Sequence, residues 1–219
     1  IKEEEFDEAI KYIDMAINID SDNFKHYFKK SLVLQRLKSS SEALKSIDKA
    51  IVLNKKNPEV FNLKAIIHEY LNEDKKALEN WNKAIELKEN YAEAYFNIAN
   101  YYNFNDNYEK SLDNYNKALQ INKKYFLALI NRADLYLKYQ KYEFALLDYN
   151  LIIERDPKIT RIHYNKASVL NFLGQKKAAI ESLNDAIDLK PKFARAFFLR
   201  GIITWQLKFY KQALFDLEK

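Results

Sequence analysis

The sequence predicts an all-α protein built from stacked pairs of helices, and three observations predict this class. Only two glycines and three prolines occur among the 219 residues, too few for the many turns of an all-β sandwich. Hydrophobic residues make up 48% of the chain, which is enough for a packed structure. Apolar residues also recur at helical spacing, within a pattern that repeats every 34 residues.

Columns of small residues show the repeat most clearly. One column keeps alanine or serine 34 residues apart, at Ala9, Ala43, Ala77, Ser111, Ala145, Ala179 and Ala213. A second column contains Ala16, Ala50, Ala84, Ala118, Ile152 and Ala186. Large apolar residues keep the same period beside them, at Ile10, Leu44, Leu78, Leu112, Leu146, Ile180 and Leu214. This arrangement predicts close helix pairs at the small residues, with the large residues filling the spaces between them.

Each repeat reads as a helix, a tight link and a second helix. In the segment SLDNYNKALQI, small and apolar residues fall at i, i+1, i+4, i+7 and i+8, which is one face of a helix. The preceding segment, with Tyr95 and Tyr102 at its ends, has a similar face. Asn72, Asp106 and Gly174 share one position in the links, as expected where a backbone leaves a helix through a left-handed residue.

These residues resemble the tetratricopeptide repeat, a family of helix pairs with a 34-residue period. The segment AYFNIANYYNFNDNYEKSLDNYNKALQINKK matches the family pattern nearly throughout, and the resemblance covers the whole chain. It implies an α-solenoid, a right-handed superhelix of antiparallel helix pairs. The single array 1–219 divides into a partial repeat at 1–23, full repeats at 24–57, 58–91, 92–125, 126–159 and 160–193, and a truncated repeat at 194–219.

Two departures from the pattern lead to further predictions. Ile152 stands where the repeat has alanine, and the larger side chain predicts a local change of superhelical pitch near residues 145–170. Neither end of the array has a polar capping helix of the kind that solenoids use for solubility. The sequence therefore predicts a fragment of a longer protein, or self-association through the uncapped ends.

Catalytic and metal-binding residues are not predicted. The chain has no cysteine, and its histidines, His26, His68 and His163, are not at metal-ligand spacing. The isolated Gly174 and Gly201 do not form a phosphate-binding loop. No pair of carboxylates has the buried, converging context of general acid–base catalysis. The expectation is a protein without enzymatic activity, cofactor or metal.

Charge and hydropathy argue against two classes of partner. The net charge of +5 and the isoelectric point near 9.0 would suit nucleic acid, but the lysines are mixed with acidic residues and form no basic stripe. No apolar run approaches the roughly 18–20 residues that cross a bilayer. We therefore expect a soluble chain without a membrane span. The absence of cysteine suits the cytoplasm and the periplasm alike.

The resemblance places ligands in a concave groove lined by the first helices. Asn97, Asn131 and Asn165 occupy one repeat position, so they form a ladder whose amides match the N–H and C=O groups of an extended peptide. Phe96, Tyr164 and Phe198 lie beside them in the pattern, and Asn100, Lys138 and Arg161 also face the groove. An alternative remains open, in which each asparagine bonds its neighbouring helix and stiffens the array.

Two subfamilies suggest what the groove binds. O-linked N-acetylglucosamine transferases carry a similar asparagine ladder in the repeat arm beside their catalytic domain. Chaperone-binding clamps hold a C-terminal carboxylate, and Asn100, Asn131 and Arg161 match part of that clamp. Phe96 and Asn165 replace two of its cations, so the match to carboxylate capture is incomplete. The sequence predicts an adaptor that binds a peptide or protein partner, and the alternative is the repeat arm of a larger glycosyltransferase.

Overall fold

A computed structural model describes residues 3–219, with side chains from residue 5 onward. The start of the predicted partial repeat 1–23, at residues 1 and 2, lies outside the described residues. Over residues 3–219 the chain forms thirteen helices and no strand. They are α1 (Glu3–Ile19), α2 (Phe24–Arg36), α3 (Ser40–Leu53), α4 (Pro58–Tyr70), α5 (Asp74–Leu87), α6 (Ala92–Phe104), α7 (Tyr108–Ile121), α8 (Phe126–Lys138), α9 (Tyr142–Arg155), α10 (Thr160–Phe172), α11 (Lys176–Leu189), α12 (Ala194–Gln206) and α13 (Tyr210–Leu217).

The predicted all-α class is confirmed over the described residues. The even-numbered helices from α2 to α12 begin at residues 24, 58, 92, 126, 160 and 194. Each of these residues is also the first residue of a predicted repeat. The chain forms two compact units: unit 1 ends at Tyr101, and unit 2 runs from Tyr102 to Lys219. The boundary between them falls inside α6.

The tight links between paired helices share one backbone geometry. In each described link a single residue has a positive φ, between 54° and 75°. These residues are Lys38, Asn72, Asp106, Gln140, Gly174 and Lys208. The residue after it returns a hydrogen bond to the end of the first helix, as from Ser39 N to Leu34 O at 2.9 Å, which is the Schellman pattern. Sequence reasoning identified this position at Asn72, Asp106 and Gly174, and missed it where lysine or glutamine adopts the same strained conformation.

Unit 1 is packed around its alanine columns. Ala43, Ala50 and Ala65 are fully buried, so α2, α3 and α4 approach closely. Ile47 and Val60 fill the space between these helices, with partly buried aromatic side chains from α2 against them. Close packing of this kind makes the helix faces depend on one another, because each isolated helix is too short to be stable alone.

Unit 2 contains Ile152, the residue that departs from the alanine column. Its side chain is fully buried on α9, in one cluster with Leu129, Ile162 and Val169. The alanines of the same column, Ala118 and Ala186, are also fully buried in this unit. Isoleucine therefore occupies a core position here, and the change of pitch near residues 145–170 stays a prediction.

Candidate functional site

Four residues predicted from the sequence line one open concavity in unit 2. The concavity has a volume of about 330 Å³ and is built on α8, α10, α12 and the turn before α12. We call it the unit 2 concavity. It is lined by Asp134, Leu137, Lys138, Arg161, Tyr164, Asn165, Phe193 and Arg195. Lys138, Arg161, Tyr164 and Asn165 were predicted to bind a partner, and the fold brings these four together.

Asp134 is the polar centre of the unit 2 concavity. Its Oδ2 accepts a hydrogen bond from Nη1 of Arg161 at 2.8 Å. Its Oδ1 accepts two more, from the Tyr149 hydroxyl at 3.0 Å and from Nδ2 of Asn165 at 3.1 Å. The carboxylate therefore connects α8 to α9 and α10. This network restrains the side chains of Arg161 and Asn165 against α8.

The asparagines of unit 2 are tied to buried tyrosines. Burial raises the pKa of Tyr149 far above its usual value, and the charge of Asp134 raises it further, while Asn165 offers its hydroxyl a hydrogen bond. Burial also raises the pKa of Tyr115 to about 12, with the charge of Asp134 adding to the rise and hydrogen bonds from Asn131 and Asn103 opposing it. Both tyrosines are fully buried, so their hydroxyl groups need such partners.

Asn97, in unit 1, has a different partner. Its Nδ2 donates to Oδ1 of Asn62, one repeat earlier, at 3.0 Å. The residue of unit 1 that corresponds in the repeat to Tyr115 and Tyr149 is Trp81 on α5, which is fully buried. Its Nε1 has no hydrogen-bond partner among the described residues, so Asn97 does not bond it. A donated N–H leaves the amide oxygen of Asn97 as an acceptor. The three asparagines thus share a repeat position while making three different sets of bonds.

A sequence signal for this coupling exists and was missed. Each ladder asparagine follows, by 16 residues, an aromatic residue with a polar tip: Trp81, Tyr115 and Tyr149. Where that earlier position holds Ile47 or Leu183, the ladder position holds Leu63 or Leu199 instead. In unit 2 the asparagine bonds the buried hydroxyl of the tyrosine in the preceding helix, whereas Nε1 of Trp81 has no such partner among the described residues. The interpretation in which asparagines stiffen the array therefore has geometric support in unit 2.

Three cationic side chains lie in the same lining as Asp134. Lys138 donates to Asp106 Oδ1 and to the carbonyl oxygen of Asn103, the latter at 3.3 Å. The bond with Asp106 raises the pKa of Lys138. Arg161 is 57% exposed although it pairs with Asp134. Arg195 is exposed and forms no ion pair with any residue that the structure describes. The lining thus carries three cations and one carboxylate.

The remaining predicted residues lie outside this concavity. Phe198 is 60% exposed on α12 and is not part of the lining. Phe96 and Asn100 are half-buried on α6, in unit 1. The aromatic wall of the unit 2 concavity comes instead from Tyr164 and Phe193, whose rings lie 5.3 Å apart. Phe193 belongs to the turn before α12, which sequence reasoning did not consider.

Two of the histidines have packing roles. His68 and His163 are both 5% exposed. Nδ1 of His68 lies 2.6 Å from Glu73 Oε2, and Nε2 of His163 donates to the carbonyl oxygen of Pro157 at 2.8 Å. Among residues 5–219, whose side chains the structure describes, no group of three or more potential metal ligands comes together. The same part of the chain contains no helix long and apolar enough to cross a membrane.

Sequence reasoning also missed a pair of arginine clasps in unit 2. Arg132 holds Asp148 through two hydrogen bonds, from Nε at 2.9 Å and from Nη2 at 2.7 Å. Its Nη1 donates to Oδ1 of Asn116 at 2.8 Å. Arg200 repeats the same three bonds to Asp216 and Asn184. Each arginine therefore links its own helix to the helices before and after it, a structural role that is separate from the concavity.

Comparison with known proteins identifies the repeats. Residues 92–125 and 160–193 match the family model of the tetratricopeptide repeat. No curated protein matches the sequence.

Solved structures of tetratricopeptide proteins share the fold. The C-terminal part of a repeat protein from Cytophaga hutchinsonii aligns with a TM-score of 0.77 and 14% identity, over 97% of this chain and 89% of the other. PilF of Pseudomonas aeruginosa aligns with a TM-score of 0.73 and 15% identity, over 88% of each chain. YrrB, a repeat protein with an unusual peptide-binding site, aligns with a TM-score of 0.67 and 18% identity, over 84% of this chain and 95% of the other.

Proposed function

Because the chain is a tetratricopeptide repeat protein, we propose that it is a non-enzymatic adaptor whose unit 2 concavity binds an extended, acidic segment of a protein partner. One observation carries the proposal. Four residues singled out by their repeat positions line one preorganised concavity, together with the carboxylate of Asp134. Peptide binding on the first helices is also what the resemblance to the family implies. The peptide-binding site of the structurally similar YrrB is consistent with this proposal.

The positive charge of the unit 2 lining favours an acidic partner. Arg161 donates one of its five N–H groups to Asp134, so four N–H groups can donate to a ligand carboxylate. Arg195 is one repeat further along, at the same position of the pattern, and it is exposed without an internal ion pair to any described residue. A carboxylate of the partner gains charge-assisted hydrogen bonds from both arginines. A basic segment would instead meet like charges at the rim.

The floor and wall of the concavity fit an extended backbone. Tyr164, Phe193 and Leu137 provide apolar surface for the side chain that follows or precedes the acidic residue. Asn165 uses an N–H on Asp134, and its amide oxygen is available to a backbone N–H of the partner. In this proposal the arginines supply most of the discrimination, while Asn165 holds Asp134 in place and makes one contact. The predicted ladder is thus partly a support for the cations.

The proposal is tested with capped peptides that differ only at a central residue: acetyl-Ala-Leu-Glu-Leu-Ala-amide and its glutamine and arginine counterparts. Binding to the full chain is followed by backbone amide NMR shifts. We expect the glutamate peptide to shift residues of α8, α10 and α12, and the Arg161→Gln/Arg195→Gln variant to weaken its binding roughly tenfold, since two exposed ion pairs are lost. Without Arg161, Asp134 also repels the ligand.

The matched control is Lys123→Gln/Lys124→Gln, which removes the same charge from an exposed connector of unit 2 outside the lining. This control should bind the glutamate peptide as the unmodified chain does. Equal affinity for the glutamate and glutamine peptides would exclude charge recognition in the unit 2 concavity. An equal loss of affinity for the glutamate peptide in the control would show that the net charge of the chain, and not the arginines of the lining, causes the effect. The glycosyltransferase arm and the end-to-end self-association stay predictions, since no observation tests them.

A further inference from the structure

Unit 1 contains a concavity at the same place in the repeat. It has a volume of about 310 Å³ and is lined by Phe28, Leu32, Glu59, Asn62, Leu63, Ile66, Lys88, Tyr91 and Glu93. We call it the unit 1 concavity. Six of these residues lie 102 positions before lining residues of the unit 2 concavity: Leu32, Glu59, Asn62, Leu63, Tyr91 and Glu93. Since 102 residues are three repeats, the two concavities are equivalent surfaces of the fold with different side chains.

The rim charges are opposite in the two concavities. Glu59 stands where unit 2 has Arg161, and Glu93 stands where unit 2 has Arg195. Neither glutamate forms an ion pair with another residue that the structure describes. The lining also contains Lys88, whose ammonium lies over the ring of Tyr91, 4.8 Å from its centroid. The lining therefore carries two carboxylates and one cation, and the ammonium of that cation lies over an aromatic ring.

The floor of the unit 1 concavity is apolar. Leu32 replaces Asp134, and Leu63 replaces Asn165, so the carboxylate-centred network of unit 2 has no counterpart here. The one amide in the lining, Asn62, accepts a hydrogen bond from Asn97. Phe28 and Ile66 extend the apolar surface. The site thus combines an apolar floor with carboxylates at its edge. That combination matches a long cationic side chain, whose methylene stem packs on apolar surface while its head stays near the edge.

A purely structural explanation of the two glutamates is the helix dipole. Glu59 and Glu93 lie in the first turns of α4 and α6, where negative charge stabilises a helix. The fold does not require acid there, however, because α8, α10 and α12 have no acidic residue in the first turn. Two of those helices carry arginine at the same position, Arg161 and Arg195. Helix stability alone therefore does not account for the charge of this column.

The two rim glutamates, the apolar floor and the equivalence with the unit 2 concavity lead to one inference. We propose that the unit 1 concavity binds a lysine or arginine side chain of a protein partner, with an apolar residue beside it. The stem of the basic side chain lies on Leu32, Leu63 and Ile66. Its cationic head lies at Glu59 and Glu93, and the neighbouring apolar residue contacts Phe28. This site is additional to the acidic-segment site proposed for unit 2, and the two have opposite charge preferences.

The probe is acetyl-Ala-Leu-Arg-Leu-Ala-amide, titrated into the full chain and followed by backbone amide NMR shifts. We expect saturable shifts in α2 and α4, weaker binding of the glutamine peptide, and no shifts there with the glutamate peptide. In the Glu59→Gln/Glu93→Gln variant the arginine peptide should bind roughly fivefold more weakly, because two exposed charge interactions are lost. Added salt should weaken the binding to the unmodified chain and have less effect on the variant.

The control is Glu42→Gln/Glu79→Gln, which removes two exposed carboxylates from the second helices of unit 1, outside the lining. It should bind the arginine peptide with unchanged affinity. A lower melting temperature of Glu59→Gln/Glu93→Gln with unchanged affinity would mean that the glutamates serve only their helices, and would overturn the proposal. So would a failure of the arginine peptide to shift α2 and α4. Because the shifts of each unit are read separately, failure here leaves the result for unit 2 intact.

Discussion

The same repeat position holds a cation in both units, but the two units use it differently. In unit 1 it is lysine: Lys30 donates to Asp14 at 2.6 Å, and Lys64 donates to Asp48 at 2.7 Å. Each aspartate lies on the preceding second helix, and the two are 45% and 56% exposed. In unit 2 two of the three members are arginine, Arg132 and Arg200, paired with the following second helix through Asp148 or Asp216, whose side chains are 5% and 0% exposed. The column also contains Ile98 and Lys166.

The difference shows that one repeat position can contribute little or much to the free energy of unfolding, depending on the cation and on the burial of its partner. A lysine ammonium is a point charge, and an exposed pair contributes about 0–1 kcal/mol. An arginine offers a rigid fork of donors that matches a carboxylate and a second acceptor at once. Arg132 bonds Asp148 and Asn116, so it joins three helices. We therefore expect the helices of unit 2 to depend on this position far more than those of unit 1.

Removing the buried carboxylate should have the largest effect. Asp148→Ala leaves Arg132, whose side chain is only 20% exposed, without its partner. We expect the free energy of unfolding to fall by about 3 kcal/mol. Asp48→Ala, the matched change in unit 1, should cost less than about 1 kcal/mol. Urea unfolding followed by circular dichroism measures both, and equal losses would contradict the comparison.

Exchanging the cations sharpens the same contrast. Arg132→Lys keeps the charge but loses the two-pronged bond to Asp148 and the bond to Asn116. We expect a loss of about 2 kcal/mol, since most of the hydrogen bonds to a charged group are removed. Lys64→Arg should change the free energy of unfolding by less than about 0.5 kcal/mol, because its partner Asp48 is exposed. A tolerated Arg132→Lys would show that charge, and not geometry, matters at this position.

The asparagine ladder gives a third contrast. A double-mutant cycle of Tyr149→Phe and Asn165→Ala should show a coupling energy of about 1 kcal/mol, because both side chains bond in one network around Asp134. The cycle of Trp81→Phe and Asn97→Ala should show coupling near zero, since Nε1 of Trp81 bonds no described residue. Chemical denaturation of the single and double variants provides the energies. Equal coupling in the two cycles would refute the distinction.

The smallest expected effect should be the same in both units. Lys38 and Gln140 have φ values of 61° and 57°, a conformation that glycine adopts without a steric penalty. Lys38→Gly and Gln140→Gly should each raise the free energy of unfolding by about 0.5 kcal/mol, with the relief of strain partly offset by glycine's larger chain entropy. Destabilisation by either change would show that the lysine or glutamine side chain contributes more than the strain costs.

Local patterns in the sequence predict the helix pairs, because spacing and small-residue columns are properties of neighbouring residues. They also predict that Lys138, Arg161, Tyr164 and Asn165 share a surface. The bonds that connect them cannot be read from local patterns, because the contacts of Asp134 with Arg161 and Tyr149 span 27 and 15 residues. The clasp of Arg132 was missed because its partners lie 16 residues away in both directions, a spacing with no local signature.

The charge reversal between the concavities was available from the sequence in principle. One repeat position reads Lys25, Glu59, Glu93, Leu127, Arg161 and Arg195 along the chain, and the members in the two linings are the glutamates and the arginines. Its meaning depends on knowing that this position lies at the rim of a concavity, since an isolated charge on a helix surface is usually solvated. The structure supplies that knowledge by placing the glutamates and the arginines in equivalent linings.

The claim that rim charge sets recognition is tested most directly by a charge reversal in unit 2. The Arg161→Glu/Arg195→Glu variant gives the unit 2 concavity the rim charges of the unit 1 concavity. Amide shifts of α8, α10 and α12 are then followed with the glutamate and arginine peptides. If rim charge sets recognition, the preference in unit 2 reverses from the glutamate peptide to the arginine peptide. An unchanged preference for the glutamate peptide in a folded variant would show that rim charge does not set recognition in the unit 2 concavity.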